Sequence, residues 1–214
     1  MDHKLIITID REYGSGGHEV GKRLAEQLGI KFFDEELIER AAMGTGYVEE
    51  YVKENDEKAP DFSIASLISS VDTFQSLPYA RIQEEQFSII RDIAAQESCV
   101  IVGRAADYIL EDEEHVSIFI FAPLEERLRR KLELEVVNEK EHPLDEAEMT
   151  KKIKQKDKQR RRYYEFYTDN KWGERDVYDL LINTSRTGID GAVDIIRTYI
   201  DKSRGQDILS GIVK

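Results

Sequence analysis

The sequence predicts an α/β fold: a five-stranded parallel sheet with helices on both faces. Short apolar runs rich in Ile and Val recur along the chain, as in strands that are covered on both sides. Segments with helical spacing of apolar residues separate these runs. Because strands that alternate with helices form parallel sheets, we expect any ligand to bind at the carboxyl ends of the strands.

The first unit, residues 5–29, is predicted to be a strand, a glycine-rich turn and a helix. The strand is the apolar run from Leu5 to Ile9, and Gly29 follows the helix as a C-terminal cap residue would. The turn contains Gly14, Gly16 and Gly17. It gathers free backbone N–H groups at the positive end of a helix, an arrangement that binds anions and most often phosphate. The alternative is that the glycines only make a tight turn.

The later elements follow the same alternation. Further strands are predicted at 30–33, 99–103, 116–121 and 178–183. Helices are predicted at 35–42, within 47–97, from Pro123 onward, at 145–167 and at 189–202. The predicted carboxyl ends carry Asp10-Arg11, Asp34, Gly103-Arg104, Ala122 and Asn183-Thr184.

Composition limits the classes of partner. The net charge of −13 over 214 residues argues against a nucleic-acid-binding protein. No apolar run reaches the roughly 20 residues of a membrane helix, and the start of the chain leaves no room for a signal peptide. The single cysteine, Cys99, fits a cytoplasmic protein. Residues 151–162 form a basic stretch that reads either as a solvated helix face or as an anion site.

The glycine turn departs from the phosphate-loop motif Gly-x-x-x-x-Gly-Lys-Ser/Thr. Arg11 stands at the first glycine, Gly17 at the lysine and His18 at the hydroxyl residue. Arg11 is the candidate for the missing charge, because its planar guanidinium suits phosphate. Since Mg²⁺ prefers oxygen ligands, Glu19, Asp10 or Asp34 would have to hold the metal instead of His18. The four histidines show no metal-ligand spacing.

Several stretches together resemble the cytidylate-kinase-like family of bacterial P-loop proteins, relatives of the nucleoside monophosphate kinases. The matching features are Gly-Ser-Gly-Gly at 14–17, Gly-Arg at 103–104 and Asp-x-x-Arg at 157–160. The resemblance covers residues 7–25, 32–38, 99–110, 121–127, 157–168, 171–173 and 178–184.

The resemblance implies a P-loop three-layer sandwich that transfers a phosphoryl group from ATP, with Mg²⁺ as a candidate metal, to a nucleoside monophosphate such as CMP. It implies one domain over residues 1–214, with a core of 1–42 and 98–214. Residues 43–97 would form a helical substrate-binding insertion and 145–175 a lid. The missing lysine and hydroxyl leave an alternative, a nucleotide-binding module without catalysis. Whether the chain forms a homo-oligomer stays open.

The resemblance and the loop together give each candidate site residue an expected role. Arg11 and Arg160 are expected to be catalytic, Asp34 and Arg104 to bind the acceptor, and Asp157 and Arg161 to belong to the lid. The residues expected to bind phosphate or nucleotide are Gly14, Ser15, Gly16, Gly17, His18 and Glu19. For Asp34 the alternative is a helix cap, and for Arg104 a salt bridge to Asp34 or Asp107.

Overall fold

The computed structural model describes residues 4–38, 77–137 and 144–204. Within these ranges lie five strands and six helices with defined bounds. They are β1 (Ile6–Arg11), α1 (Gly17–Leu28), β2 (Lys31–Asp34), α2 (Leu77–Gln96), β3 (Cys99–Val102), α3 (Ala106–Ile109), β4 (Val116–Phe121), α4 (Leu124–Val137), α5 (Glu146–Tyr167), β5 (Leu180–Asn183) and α6 (Thr184–Arg204). Residues 35–38 add a helical turn after β2.

The strands form one sheet in the order β2-β3-β1-β4-β5, and every pairing is parallel. The first strand is therefore central. Ile7 of β1 lies opposite Val100 of β3 on one side and Val116 of β4 on the other. The predicted five-stranded parallel sheet is confirmed, and the carboxyl ends of all five strands meet at one edge.

Alternate residues of the central strand enter different cores. Ile7 and Ile9 pack with α1 and α6, whereas Ile6 packs with α2 and α3. This alternation follows from the two-residue period of a strand. Helices therefore cover both faces of the sheet, as predicted.

Besides these two cores, a cluster of aromatic side chains packs the carboxyl half of α5 against the sheet. Tyr163, Tyr164 and Trp172 are buried there with Phe119 and Tyr178. The rings of Phe119 and Trp172 meet edge to face, with centroids 5.1 Å apart. The aromatic run that follows the basic stretch thus serves packing and positions α5 over the carboxyl edge of the sheet.

Two boundaries late in the chain differ from the sequence prediction. The last strand begins at Leu180 rather than at residue 178. Helical structure then starts at Thr184 instead of 189 and is interrupted at Gly188, which has a φ of 66°. Most of the predicted insertion, residues 43–76, lies outside the described residues, and its last part forms α2. No helix in the described ranges combines the length and the apolar character needed to span a membrane.

Candidate functional site

The glycine loop joins β1 to α1 at the carboxyl edge of the sheet. Gly14 and Gly16 both have a φ of 86°, a left-handed conformation that favours glycine. Gly16 is the N-cap of α1 and makes no side-chain capping hydrogen bond. The first-turn amides of α1 therefore have no side-chain cap, and the positive end of the helix points out of the loop, as in sites that bind phosphate.

Gly17, which stands where the motif has lysine, is packed against Arg11. A Cβ atom on residue 17 would lie 2.5 Å from Cβ and 3.0 Å from Cγ of Arg11. It would also lie 3.2 Å from Cβ of Ile120. Carbon atoms pack best at about 3.5–4.0 Å, so a lysine does not fit here while Arg11 is present. The arginine at position 11 and the glycine at position 17, which are both departures from the motif, are therefore coupled.

The Arg11 side chain is buried and runs past Gly103 towards the turn after β2. Its Nη2 donates to Oε2 of Glu35 at 2.9 Å. Gly103 has a φ of 87°, and a Cβ atom there would collide with Nη1 of Arg11. Arg11 thus occupies the groove between the loop and the end of β3, with its guanidinium at the β2 side of the site.

Glu35 lies close to three guanidinium groups. Its other oxygen, Oε1, lies 3.2 Å from Nη2 of Arg104. Burial alone would raise the pKa of Glu35, but the charges of Arg104, Arg11 and Arg160 outweigh it and lower the pKa to about 2. Glu35 is therefore ionised at neutral pH, although its side chain is still 40% exposed.

Arg104 and Arg160 approach this point from β3 and α5. Arg104 has a φ of 60° and its guanidinium lies 5.3 Å from the Tyr163 ring centroid. Arg160 donates from Nη1 to the backbone oxygen of Arg11 at 3.1 Å. Burial, and then repulsion from Arg11, lower the pKa of Arg160 to about 10. Neighbouring positive charges held this closely favour the binding of an anion.

A partly buried ion pair anchors the other end of the loop. Asp157 of α5 accepts from the Tyr13 backbone N–H at 2.7 Å and from Arg127 Nη1 at 2.5 Å. Arg127 of α4 also donates from Nε to the Ala122 carbonyl at 2.9 Å. The Ser15 hydroxyl points into the protein and donates to backbone oxygens. Asp157 and Ser15 thus hold the shape of the loop.

A cleft of about 250 Å³ opens above the loop. Residues on α4 and α5 close its far side: Arg130, Lys131, Leu134 and Arg160. The remaining lining residues are Arg11, Glu12, Tyr13, Gly14, Gly16, Gly17, His18 and Glu19. Arg161 lies outside this lining, with its guanidinium 5.8 Å from the Trp172 ring centroid.

The carboxylates beside the loop are already engaged. Asp34 accepts from the Leu37 backbone N–H at 2.9 Å, so it caps the turn at 35–38. Its other oxygen lies 2.9 Å from His18 Nε2. Glu19 pairs with Arg23 at 2.6 Å and with Arg130. Among the described residues no group of three or more His, Cys, Asp or Glu could hold a metal ion.

Two further carboxylates are buried beneath the site. Tyr178 donates its hydroxyl to Asp10 at 3.1 Å, and Tyr164 donates to Asp107 at 2.5 Å. Burial, followed by repulsion from Asp107, raises the pKa of Asp10 to about 7. Burial also raises the pKa of Asp107. Asp10 therefore stays partly protonated up to about neutral pH, and a protonated carboxyl group is a poor metal ligand.

Comparison with known proteins identifies the family of this chain. The model of the cytidylate kinase-like family matches residues 6–186. The chain belongs to this family. Similar proteins include the cytidylate kinases of Desulfurococcus amylolyticus, 29% identical over 92% of each chain, and of Pyrococcus horikoshii, 28% identical over 92% of this chain and 89% of that one.

Solved structures show the same fold. An uncharacterized protein from Eubacterium ventriosum is 34% identical, covers 93% of this chain and 99% of its own, and has a TM-score of 0.70. The shikimate kinase of Bacteroides thetaiotaomicron covers 92% of this chain and 98% of its own at 16% identity and a TM-score of 0.51. The predicted P-loop kinase-like architecture is confirmed, and the family-level kinase resemblance is confirmed with it.

Three residues of the site were not singled out from the sequence: Glu35, Arg130 and Lys131. Glu35 directly follows a strand end, and that position was a usable signal. Arg130 and Lys131 follow Arg127 by three and four residues on α4, so they lie on the helix face that Arg127 turns to the loop. A search for cations on the helix that follows β4 would have found both.

Proposed function

We propose that this protein transfers the γ-phosphoryl group of ATP to a nucleoside monophosphate such as CMP. The observation that carries the proposal is the meeting of two anion-binding features at one edge of the sheet. One is the uncapped glycine loop at the start of α1. The other is the group of guanidiniums around Glu35. A donor and an acceptor phosphate need two such features side by side.

The donor phosphates would lie in the cleft above the loop. Amides of residues 14–17 would receive them, and Arg160 would reach the transferred group from α5. The acceptor phosphate would lie on the β2 side, where Arg104 and the Arg11 guanidinium converge. In this assignment Arg11 lies between the donor and the acceptor phosphates.

Catalysis would rest on positioning and charge neutralisation, as in other phosphoryl transfers. Glu35 would keep Arg11 and Arg104 parallel to one another until the acceptor arrives. Asp34 would hold the turn at 35–38 through its cap and orient His18 through their hydrogen bond. ATP normally brings Mg²⁺ with it, and the engaged carboxylates leave that ion to phosphate oxygens and water.

One observation favours the alternative, a nucleotide-binding module that does not transfer phosphate. The space for a loop lysine is filled by Arg11. A protein selected only to bind nucleotide has no need of that lysine, because backbone amides suffice for phosphate binding.

An ATP-consumption assay with Mg²⁺ and a panel of nucleoside monophosphates tests the proposal. We expect turnover with at least one acceptor, and a fall of about 10²-fold in kcat/KM for Arg104→Met. Arg175→Met is the matched control, because Arg175 is 84% exposed and pairs with its neighbour Asp176. ATP binding by calorimetry without turnover for any acceptor would favour the binding module.

A further inference from the structure

The loop of this protein lacks the cation that usually reaches the terminal phosphates, and position 17 has no room for one. The collision involves Cβ of residue 17 and Cβ of Arg11, so no choice of rotamer relieves it. The Arg11 guanidinium pairs with Glu35 at the β2 side of the site, so a positive charge on the donor side has to come from another element of the fold.

Helix α4 lies directly against the loop. A Cβ atom on Gly14 would be 3.2 Å from Cγ of Lys131 and 3.1 Å from the backbone oxygen of Arg127. The aliphatic part of Lys131 thus rests on the loop backbone. Its Nζ lies 4.4 Å from the ring centroid of Tyr13, a loop residue that lines the same cleft.

The cations that line the cleft differ in their existing partners. Arg11 and Arg130 pair with Glu35 and Glu19, and Arg160 donates to a backbone oxygen. Within the described part of the chain, Lys131 shows a ring contact and no ion pair. A lysine ammonium is a compact charge with three donors on a flexible stem, which suits it to follow a phosphate during transfer.

We propose that Lys131 supplies the charge that the loop lysine supplies in the phosphate-loop motif. The inference rests on the proposed function. In the transfer, an acceptor phosphate oxygen forms a bond to the γ-phosphorus while the bond from that phosphorus to the β–γ bridging oxygen breaks. ADP leaves with the electron pair of that bond. The Lys131 ammonium neutralises the charge that grows on these oxygens and keeps its own proton.

Three variants test this role. Lys131→Met keeps the stem length and removes the charge, Lys131→Arg keeps the charge, and Lys202→Met removes an exposed lysine on α6 as the control. For Lys131→Met we expect kcat to fall about 10²-fold with a smaller change in KM. Lys131→Arg should recover part of the rate, and Lys202→Met should match the wild type. Circular dichroism checks that each variant folds.

Calorimetric affinities for ATP and AMP separate this inference from the proposed function. Lys131→Met should weaken ATP binding more than AMP binding, because only ATP places phosphates beyond the α position. Wild-type turnover with an unimpaired Lys131→Met variant would overturn the role of Lys131 alone. If the wild type does not turn over, the proposed function fails, and an unchanged ratio of ATP to AMP affinity in Lys131→Met would still overturn this inference.

Discussion

The coupling between Arg11 and Gly17 makes a sharp prediction about stability. In the wild type, Gly17→Ala would place Cβ 2.5 Å from Cβ of Arg11, about 1 Å inside the best carbon–carbon separation. Overpacking of this kind costs about 1–3 kcal/mol. Gly17 is the first residue of α1 and does not have a positive φ. This penalty opposes the preference of a helix for alanine over glycine, which is about 0.5–1 kcal/mol.

The penalty of Gly17→Ala should shrink sharply when Arg11 is replaced by glycine, which leaves only the 3.2 Å contact with Cβ of Ile120. Arg11→Gly removes the two close atoms of Arg11, whereas Arg11→Ala keeps the Cβ and should leave most of the penalty in place. The expected coupling free energy between Gly17→Ala and Arg11→Gly is about 2 kcal/mol. Urea denaturation followed by circular dichroism measures each corner of the cycle, provided that the m-values agree.

Gly191→Ala is the control for this cycle. A Cβ there would lie 3.4 Å from Cβ of Thr187, an ordinary contact, so its effect should be the same with Arg11 or Gly at position 11. Additive effects of Gly17→Ala and Arg11→Gly would refute the reasoning. So would a full relief of the penalty by Arg11→Ala.

Three other predictions concern the surroundings of the loop. The pKa of Asp10 is raised from 3.8 to about 7, so the folded state binds the extra proton and loses stability as pH rises between these values; Asp10→Asn should therefore gain stability relative to wild type at pH 8 compared with pH 5 in urea titrations. Gly103→Ala should cost more than Gly29→Ala, because both positions have a positive φ but only at position 103 must the buried Arg11 guanidinium move aside; equal losses in thermal denaturation would contradict this. Asp157→Ala should destabilise the protein by about 1–3 kcal/mol, since the Tyr13 amide and the Arg127 guanidinium lose their acceptor. A smaller loss of stability than that caused by removing an exposed carboxylate would argue against the anchoring role of Asp157.

The sheet and the loop could be predicted because their signals are local. The apolar runs mark buried strands, and the glycines mark a turn with positive φ, confirmed at Gly14 and Gly16. Helix ends follow similar rules, as Gly29 shows by donating to Ala25 and Glu26 carbonyls in a left-handed cap.

The arginine cluster could not be derived in the same way. Its members are far apart in sequence, and they meet because β2, β3 and β1 are neighbours in the sheet. Local patterns predict strands but not their order. Arg104 pairs with Glu35 and not with its neighbour Asp34, because Asp34 caps the helical turn that follows β2. A difference of one residue in position cannot be read from local patterns.

The proton that Asp10 holds beneath the loop has a consequence for how nucleotides find the cleft. The chain as a whole carries −13 charges and repels polyphosphates at long range. With the pKa of Asp10 at about 7, mild acidification neutralises a carboxylate directly below Arg11 and leaves the arginines charged. The local field in the cleft then becomes more positive. Capture of an anionic nucleotide should accelerate as the medium drops below neutrality, and the acceleration should fade at high ionic strength.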